Sequence, residues 1–254
     1  MAPSYSHEAT IRALTSYYTF LTNLYLSPGT VIHPPPTGWP SIITQSLAPL
    51  NKNPTVLHLL QHIPYFAQAG GDKVVLAQGT WPVSYHDTNF QTQIQDAAQR
   101  KYLAEPVYEV TLPEYAVCLA KGTRDGYYII LDTSRGVIVW GKPAEPWGNK
   151  TNDLTPNEID PEGPERWKRS ETFEVGDFFE MLKEKFRRME WMPHPSGATD
   201  VYEVDERLEE NESCEALKGI LRDAGWPGDW EGGGWDRKGA DEKTLEMMDE
   251  LDDL

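Results

Sequence analysis

Tyr127-Tyr128-Ile129-Ile130-Leu131-Asp132-Thr133-Ser134-Arg135-Gly136-Val137-Ile138-Val139-Trp140 constrains this chain more than any other stretch. Two runs of β-branched and aromatic residues flank a cluster of turn formers, which predicts a strand–turn–strand hairpin. Gly136 tolerates positive φ, and Asp132 or Ser134 can bond nearby backbone. Neither run alternates with polar residues, so both faces of the hairpin are expected to be covered by protein. A third strand, Tyr115 to Ala120, precedes it across a Gly122–Gly126 turn and extends it into an antiparallel meander.

The cover must come from helices. Residues 7–26 carry two adjacent apolar stripes, Ile11/Leu14/Tyr18/Leu21/Tyr25 and Ala13/Tyr17/Phe20/Leu24, a face wide enough for deep docking. Asn53-Pro54 places a cap and a first-turn proline before Val56, Leu57, Leu59, Leu60 and Ile63. Residues 90–103 read as a weak polar helix, and Lys73–Ala77 as a short strand continued irregularly through Trp81-Pro82-Val83. Residues 173–190 form the clearest helix, with Thr172 as cap and Phe178, Phe179, Leu182, Phe186 and Met189 on one face; acids near its start and bases near its end suit the macrodipole. Pro34-Pro35-Pro36 cannot be helical, so residues 30–40 should lie as a polyproline segment pinned by Trp39.

Charge divides the chain. Residues 1–100 hold four basic and four acidic side chains, whereas the whole chain carries −17 and residues 200–254 hold 19 acidic against 6 basic. The expected organisation is therefore an α+β domain over 1–198, with a mainly antiparallel curved sheet flanked by helices, and an acidic helical C-terminal appendage over 199–254. There, residues 206–224 read as a helix stopped by Gly225, and the glycines around Trp226, Trp230 and Trp235 suggest a loosely held segment able to fold back. So negative a surface disfavours nucleic acid and anionic membranes and suits a basic protein partner. Cys118 and Cys214 imply no disulfide framework, and no secretory signal or bilayer-spanning run is evident. These features predict a soluble intracellular protein, cytoplasmic or nuclear.

Catalytic signals are sparse. His58 and His62 lie one helical turn apart, a metal-compatible spacing, but Leu59 stands where a zincin has its glutamate and no third ligand is indicated. Two ordinary helix histidines are the favoured reading, so neither metal nor cofactor is expected. No phosphate-cradling loop or Gly-x-Ser-x-Gly elbow occurs. Cys118 falls in a buried strand, where a thiol behaves as a small hydrophobe. Trp140, Trp147, Trp167 and Trp191 read mostly as core, with one or two beside Arg135 or Arg166 able to anchor an interface.

The 126–140 hairpin resembles the core of the SUKH superfamily, which includes fungal cell-wall-synthesis regulators and bacterial immunity proteins. Its pattern is an apolar strand ending in Asp, a Gly-containing turn, and an apolar strand ending in an aromatic. Leu57–Tyr65 and Phe173–Arg188 resemble further pieces in order, whereas Leu112-Pro113-Glu114-Tyr115 departs by running directly into a strand. The resemblance implies a non-catalytic protein-binding module of regulatory type. Asp132, Arg135 and Trp140 then correspond to motif positions.

The expected function is binding of a partner protein through the sheet face and acidic surface, with Trp39, Tyr65, Asp132, Arg135, Trp140 and Trp147 as candidate contacts. A small-molecule enzyme using His58, His62, Tyr65 or Asp132 in a pocket is one alternative. An acidic mimic of nucleic acid, inhibiting a nuclease or another basic protein, is a second.

Overall fold

A computed structural model describes residues 4–27, 29–67, 74–107, 110–122, 125–143, 152–156, 158–194, 201–204 and 212–252. Helix α1 (His7–Leu24) starts where Ser6 Oγ accepts from the Ala9 amide and buries Leu14, Tyr17, Phe20, Leu21 and Leu24. Strand β1 (Val31–Ile32) follows. Helix α2 (Pro54–His62) is capped by Asn53, whose side chain accepts from the Val56 amide. Strand β2 (Tyr65–Phe66) pairs with β1. Of the strand expected at 73–77 with a continuation through Trp81–Val83, the continuation forms as β3 (Thr80–Pro82), while Ala77 keeps a single bridge to Thr80 and Lys73 lies outside the described residues. The polar segment splits into α3 (Thr88–Gln93) and α4 (Ala97–Ala104), because Asp87 and Asp96 each cap a helix start.

The centre is a five-stranded antiparallel sheet in sequential order: β3, β4 (Ala116–Gly122), β5 (Tyr128–Asp132), β6 (Val137–Gly141) and β7 (Glu171–Glu174). The hairpin forms as expected, with Ile130 opposite Val139 and Asp132 opposite Val137. The last strand corrects the helix reading of 173–190. Phe173 and Thr172 lie opposite Ile138 and Val139, satisfying the free edge of β6, and the helix α5 begins only at Val175 and ends at Arg187. Local pattern favoured helix here; the unpaired strand edge won.

Both sheet faces are sealed. Val117, Leu119, Ile129, Leu131, Ile138 and Trp140 join the main core with α1 and α5. Ala116, Cys118, Tyr128, Ile130 and Val139 face the other way into a smaller cluster closed by Trp167, Val110 and Leu112. A β-bulge between Cys118 and Ala120 interrupts the register of β4. The turn is held by Asp132 Oδ1, which accepts from the Ser134 amide at 3.0 Å and the Ser134 hydroxyl at 2.6 Å. Gly136 has φ +70°, and a Cβ there would stand 2.5 Å from the Tyr5 amide nitrogen, so the N-terminal chain crosses the turn against bare backbone.

Strands β8 (Trp191–Pro193) and β9 (Val201–Glu203) form a separate ribbon. The C-terminal region adds α6 (Glu212–Asp223) and α7 (Arg237–Asp252). The beginning of the expected 206–224 helix lies outside the described residues. Leu217, Leu221, Trp226 and Ala240 belong to the same core as α1 and α5. The architecture is α+β, and no helix among the described residues is long and apolar enough to cross a membrane.

Candidate functional site

Most residues singled out from sequence are consumed by the fold. Asp132 is fully buried in its own turn, with Arg135 Nη1 3.9 Å from its second oxygen. The Arg135 guanidinium also donates to the Leu154 carbonyl at 2.5 Å. Tyr65 is buried and donates to the Leu60 carbonyl at 2.9 Å. Trp140 is buried and stacks on Tyr127 with ring centroids 4.6 Å apart. Half-buried Trp39 donates to the Ile63 carbonyl at 2.9 Å and packs on His86. Trp147 lies outside the described residues. Trp167 and Trp191 are fully buried. Trp140, Trp167 and Trp191 are thus interior rings and offer no surface themselves.

The enzyme constellation does not assemble either, because Asp132 and Tyr65 sit in pairings of their own. His58 and His62 do meet, with ring centroids 4.4 Å apart, on the outer side of α2. A third imidazole joins them. His7, at the first position of α1, lies 4.3 Å from His58 and 5.6 Å from His62 between ring centroids. One ring nitrogen from each of the three can be chosen so that all lie within 4.8 Å of one another. Burial and then the neighbouring His58 and His62 lower the His7 pKa, which favours the neutral ring. Fifty-one positions separate His7 from His58, so no local pattern could have revealed this meeting.

Two partly buried polar groupings also escaped the sequence. Glu203 accepts from Trp191 Nε1 at 3.2 Å and from the Tyr127 hydroxyl, and pairs with Lys142 Nζ at 2.7 Å. Burial would raise its pKa, but the bonds from Lys142 and Tyr127 outweigh that and hold it low. Behind the smaller core, burial brings Lys52 down to about 8 against the pull of Glu105. Its ammonium is directed at the carbonyls of Leu112 and Pro113, 3.0 and 3.1 Å away, which ties a loop rather than arming a nucleophile. Burial pushes the Cys118 thiol up to about 12, as an inert core thiol requires.

The surface feature best suited to recognition lies after α6. Gly225 (φ +87°) ends that helix, and Trp226 anchors the following loop by donating from Nε1 to the Phe186 carbonyl at 3.0 Å. Asp229 Oδ1 accepts from the amides of Glu231 and Gly233, each at 2.9 Å, folding the loop on itself. The Trp230 carbonyl accepts twice from Arg187, at 3.0 and 2.7 Å, while the same guanidinium lies 3.8 Å from the Trp230 ring centroid. Trp230 nevertheless remains 65% exposed. Around it stand Glu180, 2.5 Å from Arg187 Nη1, and Glu231, 3.2 Å from Lys183 Nζ, both more than half exposed. The glycine-rich segment is therefore pinned to α5 and, through Asn23 Nδ2 donating to the Glu231 carbonyl at 3.0 Å, to α1, not loosely held.

The fold defines an α+β protein built on a five-stranded antiparallel meander. No family model matches the chain, and no curated protein or solved structure matches it.

Proposed function

We propose that this protein is a non-catalytic interaction module of regulatory type that binds a basic segment of a partner protein at the Trp230 edge. The observation that carries this reading is an exposed indole backed by a buried arginine and rimmed by carboxylates. Exposed tryptophan is a frequent interface anchor, and its face attracts lysine and arginine. Glu180 and Glu231 stand at the rim already paired with Arg187 and Lys183, so the long-range attraction comes from the net charge of −17, which raises the encounter rate with a cationic partner. The hairpin's resemblance to the SUKH pattern supports a binding role from an independent direction.

Titrating the full chain with a Lys/Arg-rich peptide while following tryptophan emission tests this. Binding should weaken as salt rises and fall roughly tenfold or more in Trp230→Ala, the size of a moderate hot spot. Equal affinity for wild type and Trp230→Ala would remove the assignment.

A further inference from the structure

We propose that His7, His58 and His62 form a zinc site that joins the start of α1 to the end of α2. The three side chains come from two elements and offer one ring nitrogen each within 4.8 Å of one another. Tetrahedral coordination with Zn–N bonds near 2.0–2.1 Å needs nitrogens roughly 3.3 Å apart, a gap that small side-chain rotations can close. Imidazole selects borderline transition metals such as zinc over calcium or magnesium, which prefer oxygen.

Backbone on both sides holds the donors. His58 and His62 share one face of α2 by their four-residue spacing. His7 follows the Ser6 cap directly, and the chain two residues earlier is pressed against Gly136, where no Cβ would fit. Two of the three rings have Nδ1 partners of the kind that orient metal-binding histidines. His62 Nδ1 lies 2.8 Å from the His58 carbonyl oxygen, and His7 Nδ1 lies 3.3 Å from the Tyr5 hydroxyl. The His58 carbonyl can only accept, so His62 Nδ1 carries the proton and Nε2 is that ring's lone pair, whereas the Tyr5 hydroxyl can pair with His7 Nδ1 in either tautomer. Gly38 preserves space beside the His62 lone pair, because a Cβ at that position would stand 3.2 Å from Nε2. His58 is solvent-exposed, so water can complete the coordination. Packing alone accounts poorly for three imidazoles converging at a surface, where they bury little apolar area.

The test uses the full chain, freed of metal by a chelator and titrated with Zn2+ by calorimetry and with Co2+ by visible absorption. One equivalent of metal per chain is expected, with the intense Co2+ bands of a tetrahedral site. His7→Ala, His58→Ala and His62→Ala should each weaken binding roughly tenfold or more, whereas His33→Ala should not. His58→Ala changes an exposed helix position and so keeps the fold. The proposal is overturned by absence of stoichiometric binding, by unchanged affinity in His7→Ala, or by an equal loss in His33→Ala, which would indicate diffuse binding to the acidic surface. The outcome is independent of the Trp230 titration.

Discussion

The hairpin from Tyr127 to Trp140 and the loop from Trp226 to Trp235 are both rich in aromatic rings, yet they use them in opposite ways. In the hairpin, strand geometry sends successive side chains to opposite faces, and each face meets a covering layer. Trp140, Tyr127 and Tyr128 are all buried as a result. In the loop, backbone carbonyls and the Asp229 carboxylate do the holding. Once Trp226 is anchored and the Trp230 carbonyl is gripped by Arg187, the Trp230 ring itself is not needed to fix the chain. An aromatic in a sheet between two layers becomes structure; one on a loop held by its backbone can be displayed.

Substitutions should separate the two regions sharply. Trp167→Ala, which empties a fully buried site under the sheet, should cost about 3–5 kcal/mol in denaturant unfolding. A loss below about 1 kcal/mol would mean that the smaller cluster is not a true second core. Glu203→Ala strands Lys142, Tyr127 and Trp191 and should cost about 2–3 kcal/mol. Because the folded-state pKa of Glu203 is depressed, its contribution is present above the unfolded carboxylate pKa and disappears as pH falls through the folded one. The wild type should therefore lose more stability than Glu203→Gln on acidification over that window.

Smaller effects sharpen the contrast. Trp230→Ala should change stability by under about 1 kcal/mol, the value of its cation–π contact, while abolishing most peptide binding. A loss of 3 kcal/mol or more would place Trp230 among the structural rings. Least perturbing is thiol chemistry. With the Cys118 thiol pushed up to about 12, it should resist alkylation at pH 8 in the folded protein and react once the chain is unfolded by denaturant.

Much of the fold is legible from local pattern. Helix α1 follows from its two apolar stripes and α2 from its Asn53-Pro54 start, and the two-sided burial of the hairpin follows from its lack of polar alternation. The edge strand Glu171–Glu174 was hidden because Thr172 and Phe173 also suit a helix start, and only the waiting edge of β6 decides between them. The site was far less legible. Of the candidate contacts, Tyr65, Asp132 and Trp140 are interior, whereas Trp230, among the tryptophans that could fold back, is the exposed one.

What the sequence determined by itself is the sheet's central ribbon, the helices that cover it and the acidic bias of the C-terminal region, because these depend on side-chain period and composition within a few residues. Tertiary structure alone decided which ring faces solvent and that His7 reaches His58 and His62. Both depend on where distant backbone segments come to rest, and no short-range periodicity encodes that.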